Sequence, residues 1–360
     1  MRIIVDGLGY SIVVTSDAAD EVGRLAGAAS QIALVADEAV ATAAEAIAAA
    51  LRAAGSDVRG TTLVKAGERY KKWRSVAALH DAWLGFGLER NGIAVGVGGG
   101  TTTDVVGFAA ATYMRGIRWI PVATTVLGMV DAAIGGKTGV DLPQGKNLIG
   151  AFWQPVGAIA DLRALGTLPP ARRADGVAEV VKAAVIGDPS LLDDLERLSP
   201  GDAGPAWATV IAKAAQVKAR VVAADPDDRT GLRESLNLGH TFAHGFEHAS
   251  RQAVRHGPAV ALGIRAAGIL ARDRTDWSWA DHRRVLRALR AFGLRTKLNS
   301  RLEPSAVLEA MMVDKKRRGG QARFVLPVRL GEVRTGVEVA DDEVLQVLLE
   351  LRQTPKRNSY

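Results

Sequence analysis

Apolar positions along this chain follow two rhythms. In the first half, short apolar runs alternate with longer stretches of helical period. Residues 1–14 offer two short β runs around Gly7 and Gly9, and Gln31–Ala36 reads as a buried strand ending at Asp37. An Ala-rich helix over Glu38–Ala54 is broken by Gly55, and Thr61–Val64 is the next strand. Gly67, Glu68 and Lys71 then lead into a helix reaching Phe86. The alternation repeats as strand Ile93–Val97, helix Thr103–Arg115 and strand Trp119–Val122. Such alternation predicts a parallel sheet with helices on its faces, whose ligands lie at the C-terminal ends of the strands.

After Leu165 the helical period takes over. Helices are expected over Pro169–Ile186, Ser190–Leu198, Ala206–Ala224, Leu236–Ser250, Pro258–Arg272, Trp279–Phe292 and Pro304–Lys316. A late hairpin is expected from Ala322–Pro327 and Gly331–Arg334, then a last helix over Asp341–Arg352 and a frayed tail, TPKRNSY. The pattern therefore predicts an α/β, Rossmann-like N-terminal domain with a parallel sheet over residues 1–165. A mainly α-helical C-terminal domain follows over 166–360, with a cleft between the halves.

Composition narrows the function. With 360 residues, 48% of them hydrophobic, the chain can bury a full core in each of two domains. No apolar run is long enough to span a bilayer, and Met1 leads straight into RIIV without a signal-peptide pattern, so a cytoplasmic protein is expected. The absence of cysteine removes thiolate metal sites and leaves His and carboxylate as ligands. A net charge of +7 raises the question of nucleic acid, but the basic residues are dispersed, many on helical patterns such as Arg283–Arg295. A solvated basic surface around a site for a small anion fits that dispersion better.

Candidate chemistry concentrates in two stretches. The apolar run at Ile93–Val97 ends in Gly98–Gly100, and a Thr-rich helix start follows with Asp104 expected in its first turn. Strand, glycine turn and helix N-terminus together make a phosphate cradle, because glycines let the backbone approach and free N–H groups favour anions. Arg115, Asp131, Lys137, Lys146 and Asn147 follow, mostly beside glycine in apolar surroundings. The second stretch, LNLGHTFAHGFEHAS, spaces His240, His244 and His248 at i, i+4 and i+8, on one helix face, with His256 in the next loop. Such a face suits a divalent metal, or else ordinary core or surface histidines. Glu179 is a candidate further ligand, or one half of a surface i, i+3 pair with Lys182.

At this point the motifs carry a resemblance. GGGTTTDVVGFAAATYMRG, VDAAIGGKTGVDLPQGKNLIGAFWQP, TLP, GVAEVVK, LRESLNLGHTFAHGFEH, RHGPAV and VDKK occur in order between Glu68 and Lys316. The series resembles that of the 3-dehydroquinate synthase family, one of the sugar-phosphate cyclases, and GGKTGV…GKNLIGAF is its most specific part. The resemblance implies conversion of 3-deoxy-D-arabino-heptulosonate 7-phosphate to 3-dehydroquinate in the shikimate pathway of aromatic amino acid biosynthesis. The route is transient oxidation by NAD, phosphate elimination, re-reduction, ring opening and intramolecular aldol closure. NAD and one divalent metal, zinc or cobalt, are implied cofactors.

By motif position the metal ligands are Glu179, His240 and His256, which turns His244 towards the substrate instead. NAD is implied over Gly99, Gly100 and Thr101, with Asp104, Thr124, Thr125 and Thr167 nearby and Asp37, Glu68 and Lys71 on the adenosine side. Asp131, Lys137, Lys146, Asn147, Lys182, Lys218, Arg233, Asn237, His244 and Lys315 are implied around the substrate. Arg115 is implied to reach a neighbouring subunit, and hence a homodimer. The chain departs from the family pattern at Ala39, where an Asn is usual, at Asp141 for a frequent Asn, and at Trp73 for a small residue. A related cyclase acting on an amino analogue or on a sugar phosphate without a carboxylate is a second reading. A metal-dependent polyol dehydrogenase is a third, and a basic nucleic-acid-binding protein a fourth. Lys218 and Arg233 favour a carboxylated substrate, and the wealth of phosphate-binding cations counts against a simple dehydrogenase. No basic stripe interleaved with aromatics supports nucleic acid.

Overall fold

A computed structural model describes residues 1–27, 31–65, 67–317 and 323–353, with the backbone alone for 312–317. The expected tail and Ala322 lie outside the described residues. The chain divides into two compact units. Unit 1 comprises Met1–Arg173 and Asp202–Asp227; unit 2 comprises Ala174–Gly201 and the chain from Asp228 on.

Unit 1 opens with β1 (Arg2–Val5), β2 (Ile12–Thr15), α1 (Ala18–Ala26), β3 (Gln31–Asp37), α2 (Ala41–Ala53), β4 (Asp57–Val64) and α3 (Trp73–Gly85). It continues with β5 (Ile93–Gly98), α4 (Gly100–Thr112), β6 (Arg118–Ala123), β7 (Lys137–Leu142), β8 (Gly145–Phe152) and β9 (Ala158–Asp161). Seven strands form one sheet in the order β1-β2-β9-β6-β5-β3-β4, parallel throughout except for the β1–β2 pair.

The apolar runs of β3 and β5 are unbroken because both faces of these strands are covered. Ile32, Leu34, Ala36, Val95 and Val97 pack with Val22, Ile47 and Leu51 of α1 and α2. Ala33, Val35 and Ala94 point the other way, onto Leu79, Trp83 and Val106 of α3 and α4. Each buried Leu or Ile side chain contributes about 1.5–3 kcal/mol relative to exposure, so these two layers hold the sheet. Because β3, β4, β5 and β6 run parallel, Asp37, the segment at Glu68, Gly99 and Thr124 all follow the carboxyl ends of neighbouring strands.

The structure corrects several boundaries. α4 begins at Gly100, three residues before the expected start, so Asp104 falls in its second turn. Gly99 takes the extended N-cap conformation, and the helix begins at the next residue. The segment after Gly136 pairs as the β7–β8 hairpin, α1 is an additional helix capped by Asp17, and β9 is an additional core strand.

Unit 2 is helical. The elements are α5 (Pro170–Ile186, whose first turn belongs to unit 1), α6 (Ser190–Glu196), α8 (His240–Ala249), α9 (His256–Ala271), α10 (Trp279–Ala291), α11 (Pro304–Arg317) and α12 (Asp341–Leu351). The hairpin β10 (Arg323–Arg329) and β11 (Glu332–Glu338) lies between the last two, and α7 (Ala208–Ala224) belongs to unit 1. α9 is buried on all sides from Ala259 to Ala271, as an unbroken apolar helix must be. Its backbone meets that of the residue before α8 so closely that a side chain at Gly263 would collide with the Gly239 carbonyl. Buried Arg265 donates to the carbonyls of Thr296, Glu350, Leu351 and Gln353, which satisfies the exposed end of α12. No described helix is long and apolar enough to cross a membrane.

Candidate active site

In unit 1 the glycine turn has steric reasons. A Cβ on Gly98 would stand 2.7 Å from Thr102, and one on Gly100 would stand 2.7 Å from the Cβ of Ala132. The N-cap residue, Gly99, has no side chain to cap α4, which suits its N-terminal amides to an anion. Around this turn six expected residues come together. Thr101 Oγ1 donates to Glu68 Oε2 at 3.2 Å, and Lys146 Nζ lies 3.7 Å from Glu68 Oε1. Lys71, 3% exposed, reaches Asp104 Oδ2 at 2.6 Å and donates to Asn147 Oδ1. Asn147 has a positive φ of 55°, held by its N–H, which donates to Asp141 Oδ1 at 2.8 Å. Asp141 in turn donates its own N–H to the Lys71 carbonyl at 2.7 Å. Burial pushes the Asp104 carboxyl up to about 6, against the pull of Lys71.

A second contact in unit 1 joins Asp131 and Lys218. Lys218 Nζ donates to both the carbonyl and Oδ1 of Asp131, each at 2.6 Å. Asp131 lies in a single π-helical turn, Gly128–Ala132, which begins where Thr125 Oγ1 accepts the Gly128 N–H. Thr124 is buried at the end of β6. Of three further expected residues, Asp37 Oδ1 accepts from Ala39 N, Thr167 Oγ1 donates to the Ala164 carbonyl, and Lys137 Nζ sits 5.9 Å over the Phe152 ring. Arg115 is exposed and follows Met114 in a left-handed pair, φ 47° and 65°.

In unit 2, Glu179, His240 and His256 place one ligand atom each within 4.8 Å of one another. Glu179 comes from the middle of α5; His240 and His256 are the first residues of α8 and α9. Glu179 Oε1 lies 3.0 Å from His256 Nε2 and 3.6 Å from His240 Nε2. Lys182 Nζ stands 2.5 Å from Glu179 Oε2, in a direction that makes an ion pair but no hydrogen bond. Both partners are buried, 2% and 4% exposed, so the pair is not a surface i, i+3 contact. Burial disfavours the Glu179 charge, yet Lys182 and the two histidines hold the carboxyl well below its usual range.

His240 Nδ1 sits 3.2 Å from the Leu238 carbonyl, an acceptor only, so this nitrogen carries the proton and Nε2 offers a lone pair. Burial, helped by Lys182, lowers the His240 pKa to about 3, so the ring is neutral. His256 behaves oppositely. Burial works against its charge, but hydrogen bonds with Glu179 and Glu247 raise its pKa to about 10. One carboxylate and two imidazoles converging in this way are a donor set for a borderline divalent cation.

The histidine face expected from the spacing is not what the structure assembles. His244 and His248 are exposed, and the buried side of α8 is formed by Phe242, Ala243, Phe246 and Glu247. The His244 ring stands at right angles to His240, centroids 6.0 Å apart. Arg233 is 3% exposed in the turn before α8, and Asn237 is exposed at the end of that turn. The side chain of Lys315 lies outside the described residues.

Comparison with known proteins fits this arrangement. The family models for the 3-dehydroquinate synthase N-terminal and C-terminal regions match residues 61–175 and 176–317. A 3-dehydroquinate synthase from Microcystis aeruginosa is 43% identical over 295 residues, 80% of each chain. The chain belongs to the 3-dehydroquinate synthase family. Among solved structures, 2-epi-5-epi-valiolone synthase from Streptomyces hygroscopicus, with NAD+ and Zn2+ bound, superposes with a TM-score of 0.84 at 30% identity, covering 95% of this chain and 96% of that one. A 2-deoxy-scyllo-inosose synthase complexed with carbaglucose-6-phosphate, NAD+ and Co2+ shares the fold, with a TM-score of 0.85 at 22% identity, covering 97% and 99%.

Within this 3-dehydroquinate synthase family framework, Glu247 and Asp141 are polar partners that reading the sequence did not place in the site. For Glu247 a signal existed: seven residues after His240 is two helical turns, closer to the His240 direction than His244 or His248.

Proposed function

We propose that this chain converts 3-deoxy-D-arabino-heptulosonate 7-phosphate to 3-dehydroquinate and phosphate. The observation that carries the reading is the Glu179–His240–His256 donor set in a chain of this family. NAD belongs to residues 1–165 and the metal and most of the substrate contacts to 166–360, with Asp131, Lys137, Lys146, Asn147 and Arg115 as contributors from the first part. When bound, NAD would supply a transient hydride acceptor, and a zinc or cobalt ion would polarise the hydroxyl on the substrate carbon that is oxidised.

The chain's own residues bind and orient. The uncapped α4 N-terminus and the glycine turn suit the NAD pyrophosphate, with Thr124, Thr125 and Thr167 at the adjoining chain segments. Glu68, Lys71, Thr101 and Asp104 form one hydrogen-bonded group for the polar parts of the dinucleotide. Lys137, Asn147, Asn237, His244 and Lys315 neutralise and orient the phosphate, which can itself accept the proton as it leaves. Arg233 grips the carboxylate through its fork of donors, and Lys218 assists, exchanging Asp131 for substrate. Lys182, paired with buried Glu179, orients the hydroxyl nearest the metal.

The active form is a cytoplasmic homodimer in which Arg115 serves the neighbouring subunit's site. The exposed, left-handed Met114–Arg115 turn supports that role, since such strain is retained at functional positions. A second cyclase reading, on a sugar phosphate without a carboxylate, draws on the 30% identity to 2-epi-5-epi-valiolone synthase.

A coupled phosphate-release assay with the heptulosonate 7-phosphate, trace NAD and zinc or cobalt tests the proposal. Many phosphates per NAD, abolished by chelator and accompanied by 3-dehydroquinate, are the expected result. No release from folded, metal-loaded protein overturns it in favour of the other cyclases. Stoichiometric NADH from simple polyols would instead identify a dehydrogenase.

A further inference from the structure

Among the metal-directed residues, the two histidines are held in different ways. His240 has a neutral carbonyl, that of Leu238, on Nδ1. His256 has a carboxylate: its Nδ1 lies 3.3 Å from Glu247 Oε1, while its Nε2 faces Glu179 Oε1 at 3.0 Å. Glu247 is 4% exposed on the buried side of α8, where a carboxylate is unfavourable without a polar partner.

The backbone around Glu247 is built to return the chain to it. Its carbonyl accepts from Gln252 N at 2.8 Å and from Ser250 Oγ at 3.0 Å. Between them the chain turns through Arg251 and Gln252, both left-handed at φ 50° and 65°, and Val254 N donates back to Ser250 Oγ at 3.1 Å. This turn carries His256 to the start of α9. The position of that start is set on α5: Arg255 grips Asp175, with Nε 3.0 Å from Oδ2 and Nη2 3.0 Å from Oδ1. Gly257 presses so close that a Cβ there would collide with the Asp175 backbone. Asp175 is one helical turn before Glu179 on α5. Backbone position is therefore fixed from one side, and what remains free is the rotation and tautomer of the imidazole.

We propose that Glu247 is a positioning residue of the metal centre. By accepting the Nδ1 proton of His256, it fixes the ring and keeps the Nε2 lone pair directed at the ion shared with Glu179 and His240. A carboxylate on the far nitrogen also makes the imidazole a stronger donor than a carbonyl does, so His256 is the tighter of the two histidine ligands. The inference rests on the metal assignment given under the proposed function.

The test is metal affinity rather than turnover. Apoprotein is prepared with chelator, and zinc binding is measured by competition with a chromophoric chelator for wild type, Glu247→Gln, Glu247→Ala and His256→Ala. Circular dichroism and NAD affinity report whether each variant is folded. The near-isosteric Glu247→Gln carries the test if Glu247→Ala does not fold. Glu247→Gln is expected to weaken zinc by about 10–100-fold, with NAD affinity unchanged. The cobalt-loaded variant should also show an altered visible d–d spectrum, because a neutral amide oxygen replaces the carboxylate behind the ring. Wild-type zinc affinity and cobalt spectrum in Glu247→Gln, with zinc lost in His256→Ala, would overturn the positioning role and leave the ligand set intact. Wild-type zinc affinity in His256→Ala would remove the ligand set itself, and the role of Glu247 with it.

Discussion

The two polar clusters solve opposite problems. In unit 1, charges of both signs alternate: Glu68 beside Lys146, Lys71 between Asp104 and Asn147, Asp131 beside Lys218. They come from loops, from β8 and from the helices α4 and α7, and the carboxylates and lysines among them pair with one another. In unit 2, acceptors converge. Glu179, His240 and His256 aim three ligand atoms at one point, while Glu247 and the Leu238 carbonyl support them from behind. Alternating pairs can be exchanged one by one for the groups of an extended organic ligand. Convergent acceptors ask for a single cation. The contrast teaches that arrangement of charge, more than amount, separates an organic cofactor site from a metal site.

The strongest way to break this contrast is to remove a convergent ligand. Glu179→Gln should abolish tight zinc binding and lower kcat by about 10²–10³, the loss typical when stabilisation of developing charge is removed. Metal analysis of the purified variant beside steady-state kinetics checks it. In unit 1, Lys71→Met leaves Asp104 without its cation and should destabilise the protein by about 3 kcal/mol, measured by urea unfolding, while weakening NAD more than zinc. A finer comparison is steric. Gly100→Ala forces a methyl against Ala132 and should cost about 1–3 kcal/mol, whereas Gly99→Ala meets only Thr125 at 3.2 Å and should cost less.

The smallest effect is the pH response of Asp104. Its folded pKa, about 6, lies above the 3.8 of an unperturbed aspartate, so the fold favours the protonated form. The stabilisation this gives is complete below the unfolded value and is lost as pH rises through about 6. The stability of wild type relative to Asp104→Asn should therefore decline between pH 4 and 6 and then level off. A flat difference across that window would show that Lys71 already compensates the charge.

Much of this was legible in the residues. The runs at Gln31–Ala36 and Ile93–Val97 are apolar throughout because the strands are covered on both faces, and the glycine turn marks where the sheet meets its ligand. The β7–β8 hairpin was not legible, since KTGVDLPQGKNLIGAF lacks the strict alternation of a half-buried strand and exposes Leu148, Ile149 and Phe152. β9 is only four residues, AIAD, too short for a period to show. In the site, helix spacing put three histidines on one face but held no information on which turn of that face is buried. Tertiary packing decided it: Gly239 lets α9 come close at His240, and the turn after Glu247 brings in a histidine from another helix.

The discontinuity of unit 1 has a consequence for biosynthesis. Its last piece, Asp202–Asp227, contains α7, which packs on β1 and β2 from the very start of the chain. A ribosome must therefore have reached Asp227 before the first unit can close. Until then the side of β1 and β2 that α7 covers stays open on the nascent chain. Transcripts truncated after Arg173 should yield an aggregation-prone fragment that engages chaperones and does not fold on its own.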